Sequence, residues 1–253
     1  FVEGLKLEAH NLVSQCVNPL DRVLILGYSG WFGSSALNLL KGTGAQILGS
    51  NSQGLKMLSD GPRNIYTSTF QGCKDFEPNI VIDSAFLTRE KIQILGTENF
   101  ISINKTLMDQ ALQMSELSSV ERFIGISSGA AKGPITLTPT ALTDDPYGAL
   151  KSEYENLLMT SDLSVKGGLV LLRAWSMSGP HVKNRGLFAF FDLIDQSKNR
   201  IIKINSNAHV YRRYTDVEDL LAVGLSSPTG GCVIDSGGEL IEIGELARTC
   251  LLY

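Results

Sequence analysis

The chain has 253 residues, 43% of them hydrophobic and 19% charged, which is enough apolar material for a sizeable core and too much for a disordered chain. A net charge of −4 and a pI near 5.4 argue against a nucleic-acid partner, which would need a basic face. No apolar run approaches about 20 residues, so no membrane-spanning helix is expected.

The opening "FVEGLKLEAHNLV" lacks a basic stretch followed by an apolar one, so it is not read as a signal peptide. Residues 1–20 are read as an N-terminal extension. Cys16, Cys73, Cys232 and Cys250 form no CxxC pair, and with His10, His181 and His209 they suggest neither a zinc site nor a disulfide framework. Free thiols fit a reducing, cytoplasmic compartment.

Further along, apolar runs alternate with helical patterns. "RVLILG" (Arg22–Gly27) reads as a buried parallel strand. A glycine-rich turn and a helix over Ser34–Lys41 follow, then a second strand over Ala45–Ser50. Gln53–Ser59 reads as a short helix, "RNIYTS" as a weak strand and Asn79–Ala85 as a better one. The apolar spacing from Lys91 to Leu117 predicts one long amphipathic helix. Arg122–Ser128 is a further strand, followed by a helix opening near Tyr147 with Asp144 or Asp145 as N-cap. Lys166–Pro180 gives a strand and turn, Gly186–Ile194 a helix, and "RIIKIN" a strand. "VEDLLAVGLSS" reads as a helix, "GCVIDSG" as a strand and "LIEIGELARTCLLY" as a final helical stretch.

This alternation predicts an α/β fold with a doubly wound parallel sheet and helices on both faces. Ligands of such sheets sit at the carboxyl ends of the strands. Residues just after Leu26, Leu48, Ile82, Ile126 and Leu172 should therefore line one crevice.

"GYSGWFG" places Gly27, Gly30 and Gly33 between the first strand and first helix, where a dinucleotide's pyrophosphate meets a helix N-terminus. Ser29 lies in the same turn, and Trp31 and Phe32 serve there chiefly as packing residues. Tyr147, Lys151 and Glu155 lie on one helix face, one turn apart. A free phenol titrates near 10. A cation about 6 Å away, at an effective dielectric near 20, is worth about 2.8 kcal/mol, or roughly two pKa units. The spacing thus predicts a phenol made more acidic by Lys151, fit for acid/base work.

The ordered set of the glycine turn, Asn104 in "SINKTLMDQAL", "ISS" ending at Ser128, "DDPYGALKSEYE", "LVLLRAWSMSGP" and "RRYTDVEDL" resembles the extended short-chain dehydrogenases/reductases of the NAD-dependent epimerase/dehydratase type, over Asp21–Leu251. The resemblance implies a Rossmann-type sheet with a small C-terminal substrate lobe. The sheet domain would span 21–174, with 206–236 returning to it, and the lobe 175–205 and 237–253. It further implies Ser128, Tyr147 and Lys151 as catalytic residues. The cofactor, NAD or NADP, would be held by Gly27, Ser29, Gly30, Trp31, Phe32, Gly33, Asn51, Ser52, Ala85, Asn104, Tyr147 and Lys151. Ser128, Ser176 and Arg212 would bind substrate, Arg173 would lie on the segment entering the lobe, and Asp219 would close the "RRYTDVED" motif. The expected partner is a nucleotide sugar or small carbonyl compound, and the expected assembly is a homodimer through Lys91–Leu117 and Pro146–Thr160.

Three features depart from that pattern. "ILGSNSQG" offers Asn51 where an acid would hold an NAD ribose and no arginine for a 2′-phosphate, which leaves NAD against NADP open. "IYTSTFQG" lacks the usual aspartate near the adenine. "SSGAAKG" lacks the Asp-Glu pair of dehydratases, which disfavours water elimination. An epimerase or reductase of a nucleotide sugar is the leading expectation. A reductase of small carbonyls and a non-catalytic dinucleotide-binding regulator are the rivals.

Overall fold

The computed structural model describes residues 2–59, 69–131, 138–182, 189–204, 208–227 and 230–252. Its strands are β1 (Arg22–Leu26), β2 (Gln46–Asn51), β3 (Gly54–Met57), β4 (Ile80–Asp83), β5 (Arg122–Ser128), β6 (Leu169–Ala174), β7 (Ser176–Ser178), β8 (Tyr211–Asp216), β9 (Cys232–Asp235) and β10 (Glu239–Glu242). The helices are α1 (Val2–Cys16), α2 (Trp31–Leu39), α3 (Thr69–Asp75), α4 (Lys91–Leu95), α5 (Thr97–Ser115), α6 (Pro139–Asp144), α7 (Pro146–Met159), α8 (Asp162–Val165), α9 (Ala189–Ser197), α10 (Val217–Ser226) and α11 (Ile243–Leu252).

Seven strands form one sheet in the order β3-β2-β1-β4-β5-β6-β9. Every pairing is parallel except β2 with β3. The apolar run of β1 is continuous because both faces are covered. Val23 and Ile25 point into one core with α1, α2 and α10, while Leu24 and Leu26 point into another with α3, α5 and α7. The doubly wound architecture read from the alternation is the one observed. The chain first adds β2 on one side of β1 and later β4 on the other, so the sheet's switch point lies between β1 and β4.

A smaller sheet, β10-β8-β7, and the helices α9 and α11 enclose a third core around Leu193, Ile243 and Leu246. Within residues 206–236, assigned from sequence to the large domain, β8 lies in this small sheet. The return to the large one begins with α10 and β9. The N-terminal extension is largely α1, whose Ala9 and Val13 are buried in the main core.

Four expected elements differ. Gln53–Ser59 is not a helix but contains β3, antiparallel to β2. Asn51 Oδ1 accepts from the Gln53 N–H at 2.9 Å, closing a tight turn, and Leu55 and Met57 then pack inward on either side of exposed Lys56. The long helix divides at Gly96 into α4 and α5. "RIIKIN" forms no strand over 201–204, where Ile202 alone turns into the small core. The last stretch begins as β10, paired with β8, before α11. "RNIYTS" and Gly186 fall outside the described residues.

Candidate active site

A cavity of about 310 Å³ opens above the switch point. Its lining comes from five strands and the loops after them: Gly30, Trp31 and Phe32 after β1, Ser84, Phe86 and Thr88 after β4, Ile126–Ser128 of β5, and Ala174, Trp175 and Met177 around β6 and β7. Tyr147 and Lys151 complete it from α7. The crevice expected from the sequence is present, but residues after β2 are not on this lining.

The glycine turn forms a close cradle at the N-terminus of α2. Gly27 has φ +76°, a left-handed conformation that L side chains avoid, and its N–H donates to the Ser50 carbonyl at 2.8 Å. A Cβ on Gly33 would stand 2.4 Å from the Gly27 carbonyl oxygen and 2.6 Å from Tyr28 Cα, so only glycine lets α2 start this close to β1. Gly30 caps α2 without a side-chain bond, leaving first-turn N–H groups for an anion. Beside it, Asn51 Nδ2 donates to Ser29 Oγ at 3.2 Å, while Ser52 is exposed in the following turn. The Trp31 indole donates to the Pro180 carbonyl at 2.7 Å and its ring meets Phe32 and Phe191. It therefore ties the cradle to the small lobe.

At the other end, Asp145 N-caps α7, accepting from the Gly148 N–H at 3.2 Å, and Pro146 takes the first helical position. This sets Tyr147 over the cavity beside Ser128. Ser128 Oγ also accepts from the Ala130 N–H at 3.2 Å. Burial pushes the Tyr147 phenol above its ordinary value, partly offset by the Ser128 hydroxyl and the Arg89 charge. That corrects the expectation of a phenol acidified by Lys151. The Lys151 ammonium donates instead to the Ile126 carbonyl at 2.7 Å and lies 3.7 Å from the Phe86 ring centroid and 5.1 Å from that of Tyr154. Burial pulls Lys151 down to about 7, opposed by Asp83 and Glu155. The cation over the Tyr147 ring is Arg89, at 5.5 Å, which also pairs with Asp145 at 3.0 Å.

Asn104 is fully buried on α5. Its Oδ1 accepts from the Leu87 N–H at 2.8 Å, and its Nδ2 has no hydrogen-bond partner among the described residues. The Ala85 N–H donates to Asp83 Oδ1 at 3.0 Å. Arg173 forks onto Glu155, with Nη2 to Oε2 at 2.5 Å. Ser176 is half-buried in β7, whereas Arg212 is exposed on β8 and off the cavity lining. Asp216 caps α10, and Asp219 lies in its first turn.

Sequence reading missed Asp83, Phe86, Arg89 and Tyr154. One signal was visible: an acid ends the buried run "NIVID", where unpaired carboxylates are rare.

A family model described as the NAD dependent epimerase/dehydratase family matches residues 23–225. No curated protein matches the chain in sequence. Among solved structures, the Bordetella bronchiseptica enzyme WbmG in complex with NAD and UDP is 22% identical, with TM-score 0.69 over 92% of this chain and 78% of that one. UDP-glucose 4-epimerase from Thermotoga maritima with UDP-glucose is 19% identical, with TM-score 0.64 over 90% and 81%. dTDP-4-dehydrorhamnose reductase from Bacillus anthracis in complex with NADP is 16% identical, with TM-score 0.68 over 92% and 80%. At these identities the likeness is one of fold.

Proposed function

The chain belongs to the NAD dependent epimerase/dehydratase family, and on that premise we propose that it is an epimerase or reductase of a nucleotide-activated sugar, acting through a keto intermediate. The observation that carries this reading is a continuous cavity running from the α2 N-terminus to Ser128, Tyr147 and Lys151. The residues fit a dinucleotide. Gly27 and Gly33 let α2 start close against β1, and the first turn of α2, with no side-chain cap, offers its N–H groups to a pyrophosphate. Ser29, Asn51 and Ser52 would face the adenosine ribose, and Lys151 the ribose at the nicotinamide end.

When bound, the oxidised nicotinamide supplies a hydride acceptor and a positive charge that favours phenolate. Ser128 holds the substrate oxygen beside Tyr147. Tyr147 takes the hydroxyl proton during oxidation and returns it during reduction. Burial keeps the phenol protonated in the free protein, the form from which Tyr147 can donate in the reductive half. Gly129, Ala130 and Ala131 after Ser128 carry no acid or base, so water elimination is not part of the proposal.

Turnover assayed with UDP-glucose and other nucleotide sugars should fall about 10²–10⁴-fold in Tyr147→Phe, with dinucleotide affinity little changed. A Tyr147→Phe protein as fast as the parent would end this mechanism. The exposure of Arg212, away from the cavity, favours the second reading, a reductase of small carbonyls. That reading predicts turnover of simple aldehydes and none of nucleotide sugars in the same assay.

A further inference from the structure

Lys151 is buried in an aromatic corner between Phe86 and Tyr154, with one hydrogen bond, to a neutral carbonyl. A buried ammonium needs a counter-charge, and two carboxylates, Asp83 and Glu155, attract it without forming a direct ion pair. Glu155, one turn along α7, is already committed. Both its oxygens are forked by Arg173, at 2.8 Å from Nε to Oε1 and 2.5 Å from Nη2 to Oε2, and Ser127 Oγ donates to Oε1 at 2.5 Å. Asp83 has no such cation. Its carboxylate, 3% exposed at the end of β4, accepts from the Tyr154 hydroxyl at 2.7 Å and the Ala85 N–H at 3.0 Å, both neutral donors.

The fold makes room for this arrangement. Gly125 sits in the middle of β5, where glycine weakens a strand. A Cβ there would lie 2.6 Å from the Tyr154 hydroxyl oxygen. The vacated volume lets the hydroxyl of α7 reach across β5 to Asp83 on β4. Lys151 and Tyr154 are three residues apart and so share one helix face.

We propose that Asp83, oriented by Tyr154 in the space left by Gly125, is a positioning residue for the Lys151 ammonium and favours its charged form at the cavity wall. The proposal rests on the reading of Lys151 as the cation at the nicotinamide end. The charged and titratable groups around the pair are Glu155 and Tyr154 from α7, Arg173 from β6 and Tyr147 from the first turn of α7. Of the two carboxylates, Asp83 opposes the burial-driven loss of the Lys151 proton more strongly.

NADH and NADPH binding, followed by nicotinamide fluorescence across pH, tests this in the wild type and in Asp83→Asn, which keeps size and polarity. Wild-type affinity should fall as pH rises through about 7. In Asp83→Asn the midpoint should move down by about one pH unit or more, with affinity recovered at the acid end. An unmoved midpoint, with affinity either unchanged or lowered equally at all pH, would overturn the proposal, because a merely structural aspartate acts evenly. If Asp83→Asn does not fold, Asp83→Asn/Lys151→Met must fold, since it removes both charges; a double variant no better than the single also overturns it. If the wild type binds neither dinucleotide, the cofactor reading fails by itself. The thermal unfolding cycle of wild type, Asp83→Asn, Lys151→Met and the double variant then decides: non-additive losses support the pairing and additive ones refute it.

Discussion

Lys151 is the residue whose chemistry the structure changes most. A lysine four positions from a tyrosine suggests an ammonium beside a phenol, but distance along a helix does not fix where a four-carbon stem ends. The ammonium is drawn to the Ile126 carbonyl and the Phe86 face. Its dominant effect is on its own titration, pulled from 10.5 to about 7. This has a stability signature. Between about 7 and 10.5 the unfolded chain holds the Lys151 proton and the folded chain does not, so stability rises with pH there. The slope contributed is at most about 1.4 kcal/mol per pH unit. Lys151→Met should remove that rise in urea unfolding between pH 7 and 9, and an identical pH profile in both proteins would contradict it. Burial lifts Asp83 above 3.8, which acts the other way in acid. Between 3.8 and its folded value the native state keeps a proton the unfolded chain has lost, so stability falls as pH rises.

Elements were legible where a chemical signal fixes the backbone and blurred where only apolar spacing was available. The start of α7 was readable because Asp145 and Pro146 each have a job at a helix N-terminus. Asp145→Ala should cost about 1 kcal/mol in denaturant unfolding, whereas Asp145→Asn, still a good cap, should stay within a few tenths. Equal losses would mean that the Arg89 pair, not the cap, is what stabilises; exposed pairs of this kind seldom contribute that much. β3 was unreadable as a strand because Leu55 and Leu58 fit a helical period as well as Leu55 and Met57 fit alternation. Only the Asn51 turn, a side-chain to backbone bond, decides between them. The break at Gly96 had a signal in the glycine itself, overridden by the apolar period on both sides.

At the scale of the whole molecule, strand–helix alternation was sufficient for the sheet and the edge that carries the cavity, since parallel strands need crossover helices and those cover both faces. The glycine turn and the Ser128–Tyr147–Lys151 set were legible as motifs, and one cavity holds both. The second layer was not: Asp83, Gly125, Tyr154, Glu155 and Arg173 come from four different elements. Their meeting depends on the register of β4, β5 and β6, which no local pattern encodes.

The chain has two tryptophans. Both Trp31, beside the glycine cradle, and Trp175, beside Ser128, line the cavity. Titration with NADH, exciting the tryptophans and reading both indole and nicotinamide emission, therefore tests the central claim directly. Saturable quenching of the indoles with matching growth of sensitised nicotinamide emission is the expected result. Saturable NADH binding with no energy transfer from either tryptophan would place the dinucleotide elsewhere and contradict the account.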